Sequence, residues 1–139
     1  ALPALRDLHL SCNPLGGLIP DFWNKLTGVK TLGLSQAGLR GGIPSSMTAM
    51  KNLTYMALDN NNLSGAIPRG FDTFPTIYNM NLSANQLTGF LPFSSEFIGK
   101  MRSKIKLEGN SGLCYVASLT WTLRLNLSSC NGHNETEGP

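Results

Sequence analysis

The chain has 139 residues, of which 41% are hydrophobic and 14% are charged. This length suffices for one domain with a buried core, and the charged fraction is about half that of an ordinary globular protein. No apolar run in the sequence reaches the roughly 18 residues that a membrane-spanning helix requires, so no span is expected within the chain. With only two histidines and no C-x-x-C pair a metal site is excluded, and the net charge of +3 says little about partners.

A 24-residue repeat begins near residue 5 and runs through four copies. Apolar residues recur at this step in four columns, and an Ile-Pro or Leu-Pro dipeptide recurs with them. The columns are Leu5, Val29, Leu53 and Ile77; Leu8, Leu32, Met56 and Met80; Leu10, Leu34, Leu58 and Leu82; and Leu15, Leu39, Leu63 and Leu87. So many matching columns exclude coincidence, and units this short bury their leucines only by stacking on one another.

Each copy contains the pattern L-x-x-L-x-L, whose last two leucines are two apart, as in a strand with one buried face. An Asn follows in most copies (Asn13, Asn61 and Asn85) and is expected to turn the chain, its amide binding backbone groups that the loop leaves unpaired. A second apolar group closes the far side of each unit, so parallel strands should line one concave surface. The members of this group are Trp23, Leu26, Met47, Met50, Phe71 and Phe74.

The second copy lacks the Asn, because Ala37 stands in its place. Losing a buried hydrogen bond costs about 1–3 kcal/mol. We therefore expect this coil to be the softest, with a water molecule or Gln36 replacing the missing amide.

The residues from Asn61 to Pro68 (NNLSGAIP) and from Asn85 to Gly89 (NQLTG) match the plant-specific leucine-rich-repeat consensus almost letter for letter. Over roughly residues 5 to 114 the chain thus resembles the extracellular leucine-rich-repeat proteins of plants. The resemblance implies an α/β-type solenoid, a right-handed superhelix with a parallel concave β-sheet. It also implies a further short strand around the Gly-x-Ile-Pro segment and short 3-10 or helical convex segments.

After Pro92 the period loosens, and residues 104–110 predict a fifth strand and turn, one residue late. Residues 119–127 alternate apolar and polar side chains, which predicts a strand over the open end of the solenoid. Cys114 and Cys130 can pair, leaving Cys12 odd. The run from 91 to 114 resembles the terminal cap of kinase-less plant receptor-like proteins of the Too Many Mouths and Piriformospora-indica-insensitive types, and this cap pattern supports the pairing.

These features divide the chain into repeats over 1–113, a disulfide-linked cap over 114–130 and a polar tail over 131–139. Because Leu5 already belongs to a strand, we expect the chain to be the C-terminal part of a longer ectodomain. Five N-x-[ST] acceptors favour the secretory pathway and a cell-surface or extracellular location. They begin at Asn52, Asn62, Asn81, Asn126 and Asn134; Asn62 is expected in a turn, and Asn81 on the concave face.

No hydrolase, zinc-protease, phosphate-loop or dinucleotide motif occurs, and no carboxylate pair is placed for acid–base work. We therefore expect no enzymatic activity and no cofactor. The binding candidates are mostly outward strand positions, each of which taken singly is ordinarily a solvated face. They are Asp7, His9, Thr31, Tyr55, Asp59, Tyr78, Asn79, Lys104 and Lys106. Tyr55 and Tyr78 offer rigid amphipathic area favoured at recognition sites.

The resemblance implies a recognition module that binds a peptide or a receptor-kinase ectodomain. The alternative is a secreted inhibitor of cell-wall-degrading enzymes, similar to polygalacturonase-inhibiting proteins. An ice-binding role predicts a regular Thr- or Asn-rich face, which the irregular outward columns disfavour. Four basic residues lie close together at Lys100, Arg102, Lys104 and Lys106. Such a run can attract an acidic polysaccharide or a membrane surface, but we expect it to be a solvated strand face. It lacks the interleaved aromatic residues of a site for single-stranded nucleic acid.

Overall fold

The structure is a computed structural model and describes residues 4–115 and 127–130. Each coil contributes one short strand to a five-stranded parallel sheet. Its strands, in spatial order, are β1 (Asp7–His9), β2 (Thr31–Gly33), β4 (Tyr55–Ala57), β6 (Asn79–Asn81) and β8 (Ile105–Lys106). Paired residues are 24 apart from β1 to β6 and 25 apart between β6 and β8. The sheet confirms the repeat and the fifth strand that arrives one residue late.

A second parallel sheet follows the first along each coil. Its strands, in spatial order, are β10 (Ser128–Ser129), β9 (Gly112–Tyr115), β7 (Gln86–Phe90), β5 (Asn62–Gly65) and β3 (Arg40–Gly41). These are the additional strands that the resemblance implied, although they precede the Ile-Pro dipeptide. The expectation that Asn62 lies in a turn is wrong, because its N–H donates to Leu39 O at 2.7 Å within the β3–β5 pairing.

The convex side is built from short helices. These are the 3-10 helices Trp23–Lys25, Ser45–Ala49 and Arg102–Lys104 and the α-helix α1 (Ser95–Met101). The Ser94 hydroxyl caps α1 by accepting the Phe97 N–H at 3.1 Å, as an N-cap serine does. The convex segments confirm the expected solenoid.

One hydrophobic core runs the length of the solenoid between the two sheets and the convex helices. The leucine columns are buried from the second coil onward, and the far side is closed by side chains such as Trp23, Met47 and Phe71. Neighbouring coils share these contacts, so each coil depends on the next for its burial.

Asn61, Asn85 and Asn110 occupy the same position in successive coils, and their side chains bind the backbone of the preceding coil. We call these three residues the asparagine ladder. Asn61 Oδ1 accepts the N–H groups of Ala37 and Leu39 in the preceding coil, at 2.9 and 3.1 Å. Asn85 accepts from Leu63, and Asn110 accepts from Leu87, both at 3.0 Å. Each amide nitrogen in turn donates to carbonyl groups of its own and the preceding coil. Every asparagine of the ladder therefore fastens one coil to the coil before it.

The hydrogen bonds that Ala37 cannot make are therefore missing from the first coil and not from its own coil. Ala37 is fully buried and its N–H is bound by Asn61. In the first coil the Leu15 N–H instead donates to Asn13 O at 2.8 Å, and the Leu15 side chain is 48% exposed. Gln36 does not replace the amide, since its Oε1 accepts from the Cys12 thiol at 3.8 Å. The prediction that all leucine columns are buried thus fails at Leu15.

The C-terminal end is closed by a disulfide between Cys114 and Cys130, which lie 16 residues apart. Cys114 belongs to β9, so this strand crosses the expected boundary at residue 113, and β10 pairs with β9. Cys12 is a free, exposed thiol. Most of the strand expected over 119–127, together with Asn126 and Asn134, lies outside the described residues.

Candidate functional site

The strands of the first sheet present three columns of outward positions, which together form the concave face. Strand alternation requires this, because the leucines between them point into the core. The columns are Asp7, Thr31, Tyr55, Asn79 and Lys104; His9, Gly33, Ala57, Asn81 and Lys106; and Ser11, Ser35, Asp59, Ser83 and Glu108. The structure thereby brings eight of the nine binding candidates onto one surface, and the ninth is Tyr78. Among the eight, Lys104 lies at the end of a 3-10 helix directly before β8.

The centre of the concave face is recessed. Gly33 and Ala57 are paired in neighbouring strands, and both are buried although they occupy outward positions. His9 and Ser11 lie close to Gly33: an added Cβ there would lie 3.3 Å from His9 Nδ1 and 3.2 Å from Ser11 Oγ. Tyr55 precedes Ala57 by two residues and stands beside it on the same face. His9 and Ser11 thus cover Gly33, and Ala57 is 2% exposed, so the two small residues lie below the larger polar side chains around them; we call this low, covered centre the recess.

A chain of hydrogen bonds fixes the polar side chains where the concave strands end. Ser11 Oγ accepts the Ser35 N–H at 2.9 Å, and the Ser35 hydroxyl donates to Asp59 Oδ1 at 2.6 Å. Asn60 Nδ2 donates to the other carboxylate oxygen of Asp59 at 2.8 Å. Asp59 is therefore held in one orientation by two donors, with its negative charge at the edge of the recess.

The next coil ends differently. Asn81 Oδ1 accepts both the N–H and the hydroxyl of Ser83, at 3.1 and 2.7 Å. Asn81 is half-buried beside Ala57. A sugar on Asn81 would therefore stand at the wall of the recess.

The two ends of the concave face carry opposite charges. Asp7 belongs to the first coil, whereas Lys104 and Lys106 belong to the fifth. All three are exposed. The opposite charges are confined to the first two columns, because the third column ends at the carboxylate of Glu108 in the fifth coil.

Tyr78 lies off the three columns. It directly precedes β6, its N–H donates to Thr54 O at 2.9 Å, and its side chain is 55% exposed. Tyr55 is half-buried within β4, paired with Asn79. The two aromatic binding candidates are thus separated: Tyr55 lies on the concave face and Tyr78 lies beside it.

The recess itself was not among the predicted site residues. Gly33 and Ala57 occupy an outward column in the sequence, whereas larger polar and aromatic side chains were the predicted binding candidates. The sequence signal that indicates the recess is the presence of two small residues at the same outward position of neighbouring repeats.

The described residues contain no cluster of three or more potential metal ligands. None of the helices within 4–115 and 127–130 has the length and apolarity that crossing a membrane requires. The arrangement offers shape, hydrogen-bonding groups and charge, which are the elements of a binding surface.

The chain matches the Leucine Rich Repeat family model over residues 4–26 and 52–74. No curated protein matches the chain significantly. The repeats that the sequence and both sheets display are thus recognised as leucine-rich repeats, and the fold is a leucine-rich-repeat solenoid.

Solved structures of plant receptors resemble the chain over most of its length. It is 31% identical to the BIR2 ectodomain from Arabidopsis thaliana, with a TM-score of 0.67, over 80% of this chain and 57% of that one. It is 32% identical to a chain of the BIR3–SERK2 complex from Arabidopsis thaliana, with a TM-score of 0.70, over 91% and 61%. The Arabidopsis receptor kinase HAESA, in complex with an IDA peptide hormone, is also 32% identical, with a TM-score of 0.70, over 82% and 18%. The chain therefore spans less than two thirds of each of these relatives.

Proposed function

We propose that the concave face is the recognition surface of an extracellular plant receptor module that binds a peptide or the ectodomain of a receptor kinase. The recess at Gly33 and Ala57 is the observation that carries this proposal. Its walls come from several coils, and backbone pairing holds these coils in register. A low centre surrounded by fixed polar groups lets an extended ligand lie close to the sheet and form hydrogen bonds with those groups.

The charges around the recess give a ligand its direction. A segment with a positive group toward Asp7 and a negative group toward Lys104 and Lys106 matches the charges of the first two columns, and the reverse orientation is less favourable. Asp59 accepts two hydrogen bonds before any ligand arrives. Its side chain therefore loses little conformational freedom on binding.

The comparisons support a binding role. The HAESA structure contains a peptide hormone, and the BIR3–SERK2 structure is a complex of two different proteins. By analogy, this chain takes part in recognition without enzymatic activity of its own, outside the cell or at its surface. The disulfide between Cys114 and Cys130 suits that oxidising environment.

We also propose that the chain belongs to a kinase-less receptor-like protein of the Too Many Mouths or Piriformospora-indica-insensitive type. The cap-like run from residue 91 to residue 114, which ends at the disulfide cysteine, supports this assignment. The full-length transcript tests it: an encoded kinase domain downstream of Pro139 contradicts the assignment.

The exposed acceptor Asn62 is proposed to carry a glycan, whereas the Asn52 amide is already bound, its Nδ2 donating to Thr27 O at 2.8 Å. Asn62 lies on the second sheet, so its sugar leaves the concave face open. The half-buried Asn81 beside the recess is proposed to remain free of sugar.

The binding proposal is tested with a panel of plant receptor-kinase ectodomains and peptide hormones, measured by calorimetry against the 139-residue chain. For a ligand that binds, Tyr55→Ala at the wall of the recess should weaken affinity about tenfold or more, as for a buried aromatic contact. Arg69→Ala, on the second-sheet side of the molecule, is the matched control and should change affinity less than about twofold. Equal affinities of the Tyr55→Ala variant and the unaltered chain would contradict the proposal.

A further inference from the structure

One long edge of the solenoid lies where the chain passes from the convex side into the concave strands. We call this edge the entry rim and define it as residues 4–7, 25–31, 49–55, 73–79 and 100–104. Seven basic residues lie on it, and all seven are exposed. They are Arg6, Lys25, Lys30, Lys51, Lys100, Arg102 and Lys104.

Backbone hydrogen bonds order part of the entry rim into a row. The Lys30 N–H donates to Arg6 O at 2.7 Å, the Thr54 N–H donates to Lys30 O at 2.8 Å, and the Tyr78 N–H donates to Thr54 O at 2.9 Å. These four residues therefore follow one another on consecutive coils. In the fifth coil Ser103 occupies the position of this row, and Lys104 lies directly after it, next to Asn79.

Basic residues outnumber acidic residues on the entry rim, whereas acidic residues outnumber basic residues elsewhere. On the entry rim Asp7 is the single carboxylate, at the first coil. The other described charges are three basic residues (Arg40, Arg69 and Lys106) and five acidic residues (Asp21, Asp59, Asp72, Glu96 and Glu108). The small net charge of the whole chain thus conceals a strongly positive edge.

The charged groups of this edge are available for a partner. Among residues 4–115 and 127–130 no basic nitrogen lies within 4.0 Å of a carboxylate oxygen. Arg102 donates from Nε to Gly99 O, and Lys100 lies 6.0 Å from the Phe97 ring. Lys100 lies in the last turn of α1, where its positive charge interacts favourably with the helix dipole. Lys30 and Lys51 follow no α-helix, so the helix dipole does not account for their positions.

Tyr78 stands within the row, between the basic residues of the first three coils and those of the fifth. Its side chain is 55% exposed. A tyrosine ring in this position offers a flat apolar face with a polar end. One face of a pyranose sugar is likewise lined with C–H groups and packs against such a ring.

We propose that the entry rim binds a linear acidic polysaccharide in which each sugar carries a carboxylate, a polyuronate. The entry rim extends over four strand spacings, which is about 19 Å, so its partner must carry negative charge along a line of that length. A linear polyanion does so, whereas an anionic membrane presents a plane. The sugar rings also provide the apolar faces that Tyr78 can contact. This surface shares the column from Asp7 to Lys104 with the concave face, but Arg6, Lys30 and Lys51 lie outside that face, so the proposal stands independently of the peptide-binding role.

The test uses an oligogalacturonate long enough to cover the row, with calorimetry on the 139-residue chain. Because Asn52 also lies on the entry rim, the protein is produced in bacteria so that Asn52 carries no sugar. Each charge removed should weaken binding about fivefold, so R6Q/K30Q/K51Q should weaken it about a hundredfold. Binding should also weaken as salt screens the charges.

A matched triple variant controls for net charge. R40Q/R69Q/K106Q removes the same charge outside the entry rim; because only Lys106 lies near the rim, two residues beyond Lys104, it should weaken binding by about the fivefold of one charge and not by about a hundredfold. Tyr78→Ala should weaken binding about fivefold, while Tyr78→Phe should retain it. Thermal unfolding of every variant establishes that the fold is intact.

Three results would overturn the proposal. The first is an equal loss of affinity in the control triple variant, since the attraction would then depend only on net charge. The second is undiminished binding of the fully methyl-esterified oligomer, which has no carboxylates. The third is binding to phosphatidylserine vesicles without binding to the oligogalacturonate, which would identify a membrane surface as the partner.

Discussion

The asparagine ladder makes a quantitative prediction for Asn85→Ala. Asn85 is 7% exposed and makes one bond as an acceptor, from the Leu63 N–H. Its amide nitrogen donates to the carbonyl oxygens of Leu58, Leu82 and Ser83, but each of these oxygens also accepts a second hydrogen bond. The substitution therefore strands a single buried group, the Leu63 N–H.

One unsatisfied buried donor costs about 1–3 kcal/mol, and the three lost carbonyl contacts move the expectation toward the upper end of that range. At about 4 °C per kcal/mol for a chain of this size, the melting temperature should fall by about 10 °C. Urea unfolding followed by circular dichroism measures the change. Ala37→Asn is the matched opposite variant: it restores the ladder next to Leu15 and should stabilise the chain by about 1 kcal/mol. A change below about 0.5 kcal/mol in Asn85→Ala would refute the role assigned to the ladder.

The other predictions concern the cap, the recess and the glycans. The double variant C114S/C130S should lose about 3 kcal/mol of stability, as expected for a bridge closing a loop of this length, and unchanged thermal unfolding would contradict this. Gly33→Val should crowd His9 and Ser11 at the recess and weaken a concave-face ligand at least about tenfold, at a stability cost of about 1–3 kcal/mol in urea; unaltered affinity in calorimetry would exclude the recess. Peptide mapping of plant-secreted protein should find sugar on the exposed Asn62 and unmodified Asn81, and the reverse pattern would contradict the open concave face.

The repeat in the sequence was sufficient to predict the main architecture. A constant step with leucines two apart leaves one arrangement in which every leucine is covered, and that arrangement places the strands side by side in parallel. The outward columns followed from alternation alone. Asp7, Thr31 and Tyr55 consequently lie where they were expected, without any knowledge of the surrounding structure.

The errors arose where the partner of a group belongs to another coil. The asparagine at one position binds the coil before it, so the effect of Ala37 appears at Leu15, in the preceding coil. The pattern within the second coil had instead predicted the loss in the coil that contains Ala37. Asn62 was misplaced for a related reason: its strand exists only because Arg40 in the previous coil pairs with it. Contacts between coils cannot be derived from the pattern inside one coil.

The same constant step that fixes the core also aligns the residues that face solvent, and this alignment explains how one short chain can present two different surfaces. A change at one outward position alters one row without affecting the leucines beneath it, because neighbouring positions point to opposite sides of the strand. Gly33 and Ala57 form a recess because they share a row, and Arg6 and Lys30 join their charges for the same reason. Their distance in the sequence is irrelevant, since adjacent coils bring them within one strand spacing. In such a solenoid the core specifies where the side chains are presented, while the choice of side chain at each outward position specifies the partner.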